Sequence, residues 1–158
     1  MILYLDASAL VKRYVAEPGS AEVSAAISKA EVTGTALISR AEVAAALAKA
    51  VRVDALTREE AWASLRVFQS EWPDLVRVQV TELVVASAAT LAWQHGLRGY
   101  DAVHLAAALV WQDALGERAS LATFDKYLWV TAKSVGLEAY PADLPAMLDT
   151  WKAASKSS

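Results

Sequence analysis

Five short runs of mainly apolar residues are separated along the chain by turn-forming and charged residues. The first run stops directly on the acid Asp6, and the run at 76–80 alternates apolar and polar side chains. Short runs of this kind are typical of strands, and a continuous apolar run is typical of a strand buried on both faces. We therefore predict strands at residues 2–5, 35–38, 76–80, 120–124 and 137–140.

The segments between these runs carry apolar residues at helical spacing. In one of them, Val43, Leu47 and Ala50 fall on the same helical face. Capping residues and glycines bound the segments, as at Ser20 and Gly136. The pattern predicts helices at residues 8–15, 21–30, 39–51, 57–72, 81–94, 100–115 and 126–134.

Strands that alternate with helices define the expected architecture. Such an order favours right-handed crossovers and a parallel sheet covered by helices on both faces. The expected fold class is α/β, as a single domain with a mostly parallel central sheet of short strands flanked by helices. We place this domain at residues 1–150 and expect the small, polar residues 151–158 to form a tail that frays.

Composition limits the class of protein. The 158 residues are 56% hydrophobic, which is sufficient for one well-packed core. The longest apolar run, residues 105–111, is far shorter than the roughly 20 residues that cross a bilayer, so we expect a soluble protein without a membrane partner. The sequence has no cysteine and no secretory signal pattern, and both facts favour a cytoplasmic location.

The charge balance bears on nucleic-acid binding. A net charge of -3 and a pI near 5.4 argue against broad electrostatic attraction to nucleic acid. A divalent cation bound by clustered acids would reverse the local sign of the charge. The placement of the acids therefore decides whether a polyanion remains a possible substrate.

Four acids stand where predicted elements begin or end, and each has a structural explanation. Asp6 and Asp125 follow strands and can cap the next helix. Glu42 stands three residues after Ser39, which is the spacing of a capping box. Asp101 lies in the first turn of an otherwise apolar helix, where the dipole favours a negative charge. Taken singly, these residues leave capping and chemistry both open.

Taken together, the four acids favour a cation site. The carboxyl ends of parallel strands meet at one edge of a sheet, so Asp6, Glu42 and Asp125 are expected there, and the helix that begins near Asp101 points its dipole towards them. Gathered carboxylates repel one another and take up protons or a cation. Because the available ligands are oxygens, the expected ion is Mg²⁺ or Mn²⁺.

Basic residues near these acids in the sequence have two interpretations. They can flank a groove that binds a phosphate backbone, or they can be ordinary solvated charges. The candidates are Lys12, Arg13, Arg40, Arg98 and Lys126.

The histidines and tryptophans are also ambiguous. His104 lies one turn after Asp101 and is either a ligand or proton carrier, or a satisfied core histidine, so it stays outside our catalytic set. Trp62, Trp72 and Trp151 stand in polar company, where they can mark an oligomer or partner surface.

Four motifs, in this order and spacing, resemble those of the PIN-domain nucleases, and among them the VapC-type toxins of toxin-antitoxin pairs. They are LDASALVK at 5–12, SRAEV at 39–43, YDAVHLA at 100–106 and ATFDKYL at 122–128, followed by Gly136-Leu137. Each motif alone is weakly specific, but the four together cover most of the chain. One position departs from some members of the family, since Leu128 replaces a further acid and puts a second firmly held metal in doubt.

The resemblance implies a set of roles for these residues. Asp6, Glu42, Asp101 and Asp125 would form the acidic site for Mg²⁺ or Mn²⁺, with Ser8 and Thr123 as supporting hydroxyls. It further implies an RNA substrate, a homodimer, and a cognate antitoxin whose tail occupies the groove.

The activity expected on this basis is hydrolysis of RNA phosphodiesters by a metal-dependent endoribonuclease, the toxin of a type II toxin-antitoxin system. Two alternatives remain. One is a non-catalytic interaction module whose acids are only helix caps. The other is a phosphotransferase that uses Asp6 as a phosphate acceptor, although no second acid follows two residues later.

Overall fold

A parallel sheet lies at the centre of residues 1–157, the part of the chain that the computed structural model describes. Its strands are β1 (Ile2–Leu5), β2 (Val32–Ala36), β3 (Val76–Val78), β4 (Ala119–Ala122) and β5 (Glu138–Tyr140). They lie in the order β3-β2-β1-β4-β5, and every pairing is parallel. The expected α/β class and parallel central sheet are confirmed, with β2 starting three residues earlier than predicted.

Helices cover both faces of this sheet. They are α1 (Ala7–Leu10), α2 (Ser20–Lys29), α3 (Ser39–Arg52), α4 (Arg58–Glu71), α5 (Glu82–His95), α6 (Gly99–Leu115), α7 (Lys126–Ser134) and α8 (Leu144–Lys156). The helix predicted at 8–15 is instead the short α1 followed by a 3₁₀ turn at Val11–Arg13. Within the described residues, no helix is both long enough and apolar enough to cross a membrane.

The central strand β1 explains why the core has two halves. Successive side chains of a strand point to opposite faces of the sheet. Ile2 and Tyr4 accordingly pack in the half of the core that α5, α6 and α7 cover. Leu3 and Leu5 pack in the other half, beneath α1, α2, α3 and α4. The apolar run that predicted a strand buried on both faces is thereby confirmed.

Small residues let α6 lie close to the sheet. Ala102, Ala106 and Ala108 on this helix are buried in the first half of the core. Further along the helix, the Trp111 ring fills the space above β2 at Gly34, where a Cβ atom would lie 2.8 Å from a ring carbon. The glycine of β2 is therefore a packing partner of an indole rather than a turn residue.

The last helix, α8, includes most of the residues that we expected to form a polar tail. The Asp143 side chain accepts a hydrogen bond from the Ala146 amide at 3.1 Å and so caps the helix. The helix then continues through the predicted boundary at residue 150 as far as Lys156. Ser158 of the expected tail lies outside the described residues. The polar residues within 151–156 therefore lie at the solvent-exposed end of a helix.

The three tryptophans proposed as surface markers divide. Trp72 is buried and packs against Phe68 with ring centroids 5.4 Å apart, so its assignment to a surface is wrong. Trp62 is 59% exposed, as expected of a partner surface. Trp151 stacks on Phe124 with centroids 5.8 Å apart. Trp93, which we did not single out, is 91% exposed.

Gly34→Ala should lower the free energy of unfolding by about 1–3 kcal/mol, because the added methyl group overpacks the contact with Trp111. Urea unfolding measures the change. Gly99→Ala is the matched control, since a Cβ atom there would meet nothing within 4 Å and the residue opens a helix. Its stability should be unchanged or higher. Equal destabilisation of the two variants would contradict the packing role of Gly34.

Candidate active site at the carboxyl edge of the sheet

Asp6 and Thr123 meet because β1 and β4 are neighbours. The pairing of Leu5 with Ala122 brings the two strand ends level, and the Asp6 amide donates to the Ala122 carbonyl at 3.1 Å. The next residue on each strand is a polar one. The Thr123 hydroxyl then donates to Asp6 Oδ2 at 2.6 Å. Strand order thus delivers two polar residues, 117 positions apart, to one point on the sheet edge.

Asp6 is both a helix cap and the centre of a polar cluster. Its Oδ1 atom accepts hydrogen bonds from the Ala9 amide at 2.9 Å and from the Ser8 hydroxyl at 2.7 Å. The first of these bonds caps α1. The residue is only 3% exposed. The capping interpretation and the chemical interpretation are therefore compatible, because one carboxylate does both.

Burial is the main influence on the acidity of Asp6. Burial disfavours the charged form and raises the pKa of this carboxyl above its ordinary value. The nearby His104 and the hydrogen bonds from Thr123, Ser8 and Ala9 act in the opposite direction, but they do not cancel the rise. The charged form of Asp6 is thus disfavoured by burial, and a positively charged partner would stabilise it.

The two hydroxyls that we expected beside the acids tie the cluster together. Ser8 Oγ donates to Asp6 and accepts from the Phe124 amide at 3.0 Å. Thr123 Oγ1 donates to Asp6 and accepts from the Asp125 amide at 3.1 Å. Each hydroxyl therefore fixes the loop after β4 relative to the Asp6 carboxylate.

Glu42 reaches the site from α3, and its capping-box explanation is wrong. Ile38 is the N-cap of α3, while the Ser39 hydroxyl is hydrogen-bonded to Thr35 Oγ1 at 2.6 Å. Glu42 Oε1 is instead 2.7 Å from His104 Nε2. The sequence has the spacing of a capping box, but the Ser39 hydroxyl is hydrogen-bonded to buried Thr35 and does not cap the helix.

A capping box does form elsewhere in the chain. Thr57 and Glu60 exchange the two reciprocal bonds at the start of α4, at 2.8 and 3.1 Å. This geometry accounts for both residues as capping groups of α4.

Asp101 and Asp125 are joined by Arg98. The Arg98 guanidinium donates to Asp101 Oδ2 at 3.0 Å and to Asp125 Oδ2 at 2.9 Å. The hydrogen bond and charge of Asp101, followed by the charge of Asp125, raise the pKa of Arg98 above its ordinary value. Asp125 also caps α7 by accepting from the Leu128 amide at 2.8 Å. The Arg98 side chain is 78% exposed, so it covers the two acids from the solvent side.

One cavity of about 300 Å³ contains all four predicted acids. Its walls are formed by Asp6, Ala7, Ser8, Glu42, Arg98, Asp101, His104, Phe124 and Asp125. Asp6 directly follows β1 and Asp125 is the N-cap of α7, whereas Glu42 and Asp101 lie in the first turns of α3 and α6. A larger cavity of about 690 Å³ between α5 and α6 shares Glu42, Arg98 and Asp101 with it.

Only one of the five basic candidates lines the acidic cavity, and that residue is Arg98. Lys12 is held by Glu17 at 3.0 Å, and Arg13 is held by Glu71 at 3.0 Å. Arg40 and Lys126 are exposed, at the beginnings of α3 and α7. Of these five candidates, Arg98 is therefore the one whose side chain reaches the acids.

His104 is buried, as a core histidine would be, yet it also touches the site. It is 2% exposed, and its Nδ1 atom is 2.8 Å from the Tyr4 hydroxyl. Burial raises the pKa of Tyr4 well above its ordinary value, and the charges of Asp6 and Glu42 add to the rise. Tyr4 was not among the predicted site residues. The available signal was its place in β1, two positions before Asp6.

The donor set fits a hard divalent cation, but the side chains are not gathered around one. Among residues 1–157, no three acids, histidines or cysteines are grouped closely enough to hold a metal ion. The donors are carboxylate oxygens, which Mg²⁺ and Mn²⁺ prefer. Glu42 Oε2 and Asp101 Oδ1 accept no hydrogen bond from another described residue. Withdrawal of the exposed Arg98 side chain would open the oxygens it now covers.

Comparison with known proteins assigns the chain to a protein family. The family model described as PIN domain matches residues 3–134, which is most of the chain. The chain therefore belongs to the PIN domain family. More particularly, it is 37% identical to Ribonuclease VapC45 of Mycobacterium tuberculosis (strain CDC 1551 / Oshkosh) over 144 residues, which is 90% of this chain and 97% of the relative. It is thus a VapC-type member of that family.

Solved structures share the fold. PAE2754 from Pyrobaculum aerophilum superposes with a TM-score of 0.64 at 20% identity, covering 94% of this chain and 96% of that chain. A toxin-antitoxin complex from Klebsiella pneumoniae gives a TM-score of 0.58 at 14% identity, covering 78% of this chain and 86% of that chain. These two likenesses concern the arrangement of the backbone.

Asp6→Asn should change how stability depends on pH. With a raised pKa, folded Asp6 holds its proton more tightly than the unfolded chain does. Its contribution to stability is complete below the ordinary pKa of 3.8 and is lost as the pH rises through the raised value. Without divalent cations, the Tm of Asp6→Asn minus that of wild type should therefore increase as the pH rises above about 4.

Thermal unfolding between about pH 3.5 and about pH 8 measures this difference. Asp113→Asn is the control, since Asp113 is exposed on α6. For the control, the difference in Tm should stay nearly constant. A flat difference for Asp6→Asn would contradict a raised pKa.

Proposed function

We propose that this protein is a divalent-metal-dependent endoribonuclease and the toxin of a type II toxin-antitoxin system. The observation that carries the proposal is the convergence of four carboxylates in one cavity, with Asp6 buried and oriented by three hydrogen bonds. The relatedness to a protein named as a ribonuclease supports RNA as the substrate.

The proposed cofactor is Mg²⁺ or Mn²⁺, held by Asp6, Glu42, Asp101 and Asp125. When bound, such an ion lowers the pKa of water and stabilises negative charge on phosphate oxygens. Ser8 and Thr123 hold the Asp6 carboxylate in one orientation through their hydrogen bonds. The raised pKa of Asp6 favours the same outcome, because a cation relieves the cost of its burial.

Arg98 has a proposed role on the substrate side. Its guanidinium is largely exposed, and it leaves Asp101 and Asp125 when a cation takes its place. A planar guanidinium then matches the oxygens of a phosphodiester. Arg40 and Lys126, exposed beside the site, extend this basic rim. Lys12 and Arg13 stay in their ion pairs and contribute less.

Two apolar surfaces support the proposed protein partners. A groove of about 880 Å³ between α3 and α4, bordered by Leu47, Val51, Trp62 and Leu65, suits the apolar face of an antitoxin segment. On α5 and α6, Leu83, Trp93 and Tyr100 are 71%, 91% and 68% exposed, as expected of a homodimer face. The cysteine-free composition supports the proposed cytoplasmic location.

The hydrogen bonds of Asp6 argue against the phosphotransferase alternative. A nucleophilic carboxylate needs an oxygen that faces its phosphodonor. Both oxygens of Asp6 already accept hydrogen bonds from the chain itself, and the residue is buried. This geometry suits a carboxylate that binds a cation better than a carboxylate that attacks a phosphodonor.

Asp101→Asn should lower Mg²⁺-dependent RNA cleavage by about 100-fold or more, because loss of a metal ligand removes several kcal/mol of charge stabilisation. A labelled RNA assay with purified protein measures the rate. Asp113→Asn lies on the same helix but on its exposed surface, and it should retain wild-type activity. Full activity of Asp101→Asn would contradict the assignment of Asp101 to the metal site.

Millimolar Mn²⁺ should raise the Tm of wild type by roughly 3 °C when its concentration is about ten times Kd. Asp101→Asn should show little or no shift, and Asp113→Asn should follow wild type. Thermal unfolding with and without Mn²⁺ makes the comparison. The interaction-module alternative predicts no shift in any of the three proteins.

A further inference from the structure

We infer that Tyr4 and His104 form a buried chain of hydrogen bonds that positions Glu42 for cation binding. The Tyr4 hydroxyl is 2.8 Å from His104 Nδ1, and His104 Nε2 is 2.7 Å from Glu42 Oε1. The inference rests on the proposed function, because it assigns Glu42 to the metal site. Tyr4 and His104 are positioning residues, since each acts through Glu42.

The chain of bonds joins elements that otherwise lie apart. Glu42 is on α3, which covers the Leu3 and Leu5 side of the sheet. His104 is on α6, which covers the opposite side together with Tyr4. The contact between His104 and Glu42 therefore crosses the carboxyl edge of the sheet. It therefore links two helices that pack in different halves of the core.

The order of donors follows from what each group can do. A carboxylate only accepts hydrogen bonds, so His104 Nε2 donates to Glu42. In a neutral imidazole, Nδ1 is then an acceptor, and the Tyr4 hydroxyl is its donor. Glu42 thus selects the imidazole tautomer with the N–H group on Nε2, and the Tyr4 hydroxyl matches that tautomer by donating to Nδ1. The opposite tautomer would present a lone pair to the carboxylate.

Packing leaves the chain of bonds little freedom. Tyr4 is fully buried and His104 is 2% exposed. Their rings meet edge to face with centroids 5.9 Å apart, and Trp111 packs on Tyr4 at 6.3 Å. The Glu42 side chain, by contrast, is 24% exposed and opens into the acidic cavity. A rigid buried pair therefore holds a partly exposed ligand, as outer hydrogen-bond partners do at metal sites.

The test uses Mn²⁺ alone as the probe and the full chain as the protein. His104→Leu should weaken Mn²⁺ binding, measured by isothermal titration calorimetry, by about 10-fold or more. His104→Gln keeps an N–H donor near Glu42 and should recover much of the affinity. Tyr4→Phe keeps the ring and should weaken binding in the same direction as His104→Leu, by a smaller factor.

Tyr14→Phe is the matched control. It also removes a hydroxyl hydrogen-bonded to a glutamate, since Tyr14 donates to Glu71 Oε2 at 2.8 Å, but that pair lies outside the acidic cavity. Its Tm should fall without a change in the Kd for Mn²⁺. A purely structural role for Tyr4 and His104 would give the same result in their variants.

The outcomes are distinguishable. If wild type neither binds Mn²⁺ nor cleaves RNA, the proposed function fails and this inference falls with it. If wild type binds Mn²⁺ and cleaves RNA, and if Tyr4→Phe, His104→Gln and His104→Leu all bind Mn²⁺ with the wild-type Kd, only the positioning role is overturned. Should His104→Leu fail to fold, Tyr4→Phe decides: an unchanged Kd for Mn²⁺ overturns the positioning role alone, and a weaker Kd supports it.

Discussion

The burial of one carboxylate is the constraint on which the rest of this structure depends. Asp6 ends the central strand, where desolvation disfavours its charge. The hydroxyls of Ser8 and Thr123 and the Ala9 amide offset part of that cost. Thr123 can do so only because β4 lies beside β1 in register. The strand order, the start of α1 and the polar residues of the cavity therefore all contribute to keeping a buried acid hydrogen-bonded.

Much of this arrangement was predictable because it depends on local patterns. An apolar run that stops on an acid predicted both β1 and the position of Asp6, and helical spacing predicted α3 and α6. The partners of the acids were not predictable in this way. His104 meets Glu42 across 62 residues, and Arg98 meets Asp125 across 27, so only the folded chain brings them together. Such contacts leave no periodic signal.

Two departures from the sequence patterns have identifiable causes. The spacing from Ser39 to Glu42 is that of a capping box, but the Thr35 hydroxyl binds Ser39 from β2 and a different residue becomes the N-cap. The helix α8 was overlooked although its signals were present, with Asp143 as the N-cap and Pro145 in the first turn. In the first case tertiary structure overrode a correct local pattern, and in the second a valid pattern was hidden by a polar composition.

The stack of Trp151 on Phe124 has a consequence for how the sequence can vary. The ammonium group of Lys12 lies 4.7 Å from the centroid of the Phe124 ring, and a side chain at Gly19 would collide with that ring at 2.8 Å. Phe124 in turn lines the acidic cavity. Positions 12, 19, 124 and 151 are distant in the sequence but thus pack in one region of the structure. In descendants of this protein they are expected to change together, so correlated substitution would link the last helix to the cavity wall.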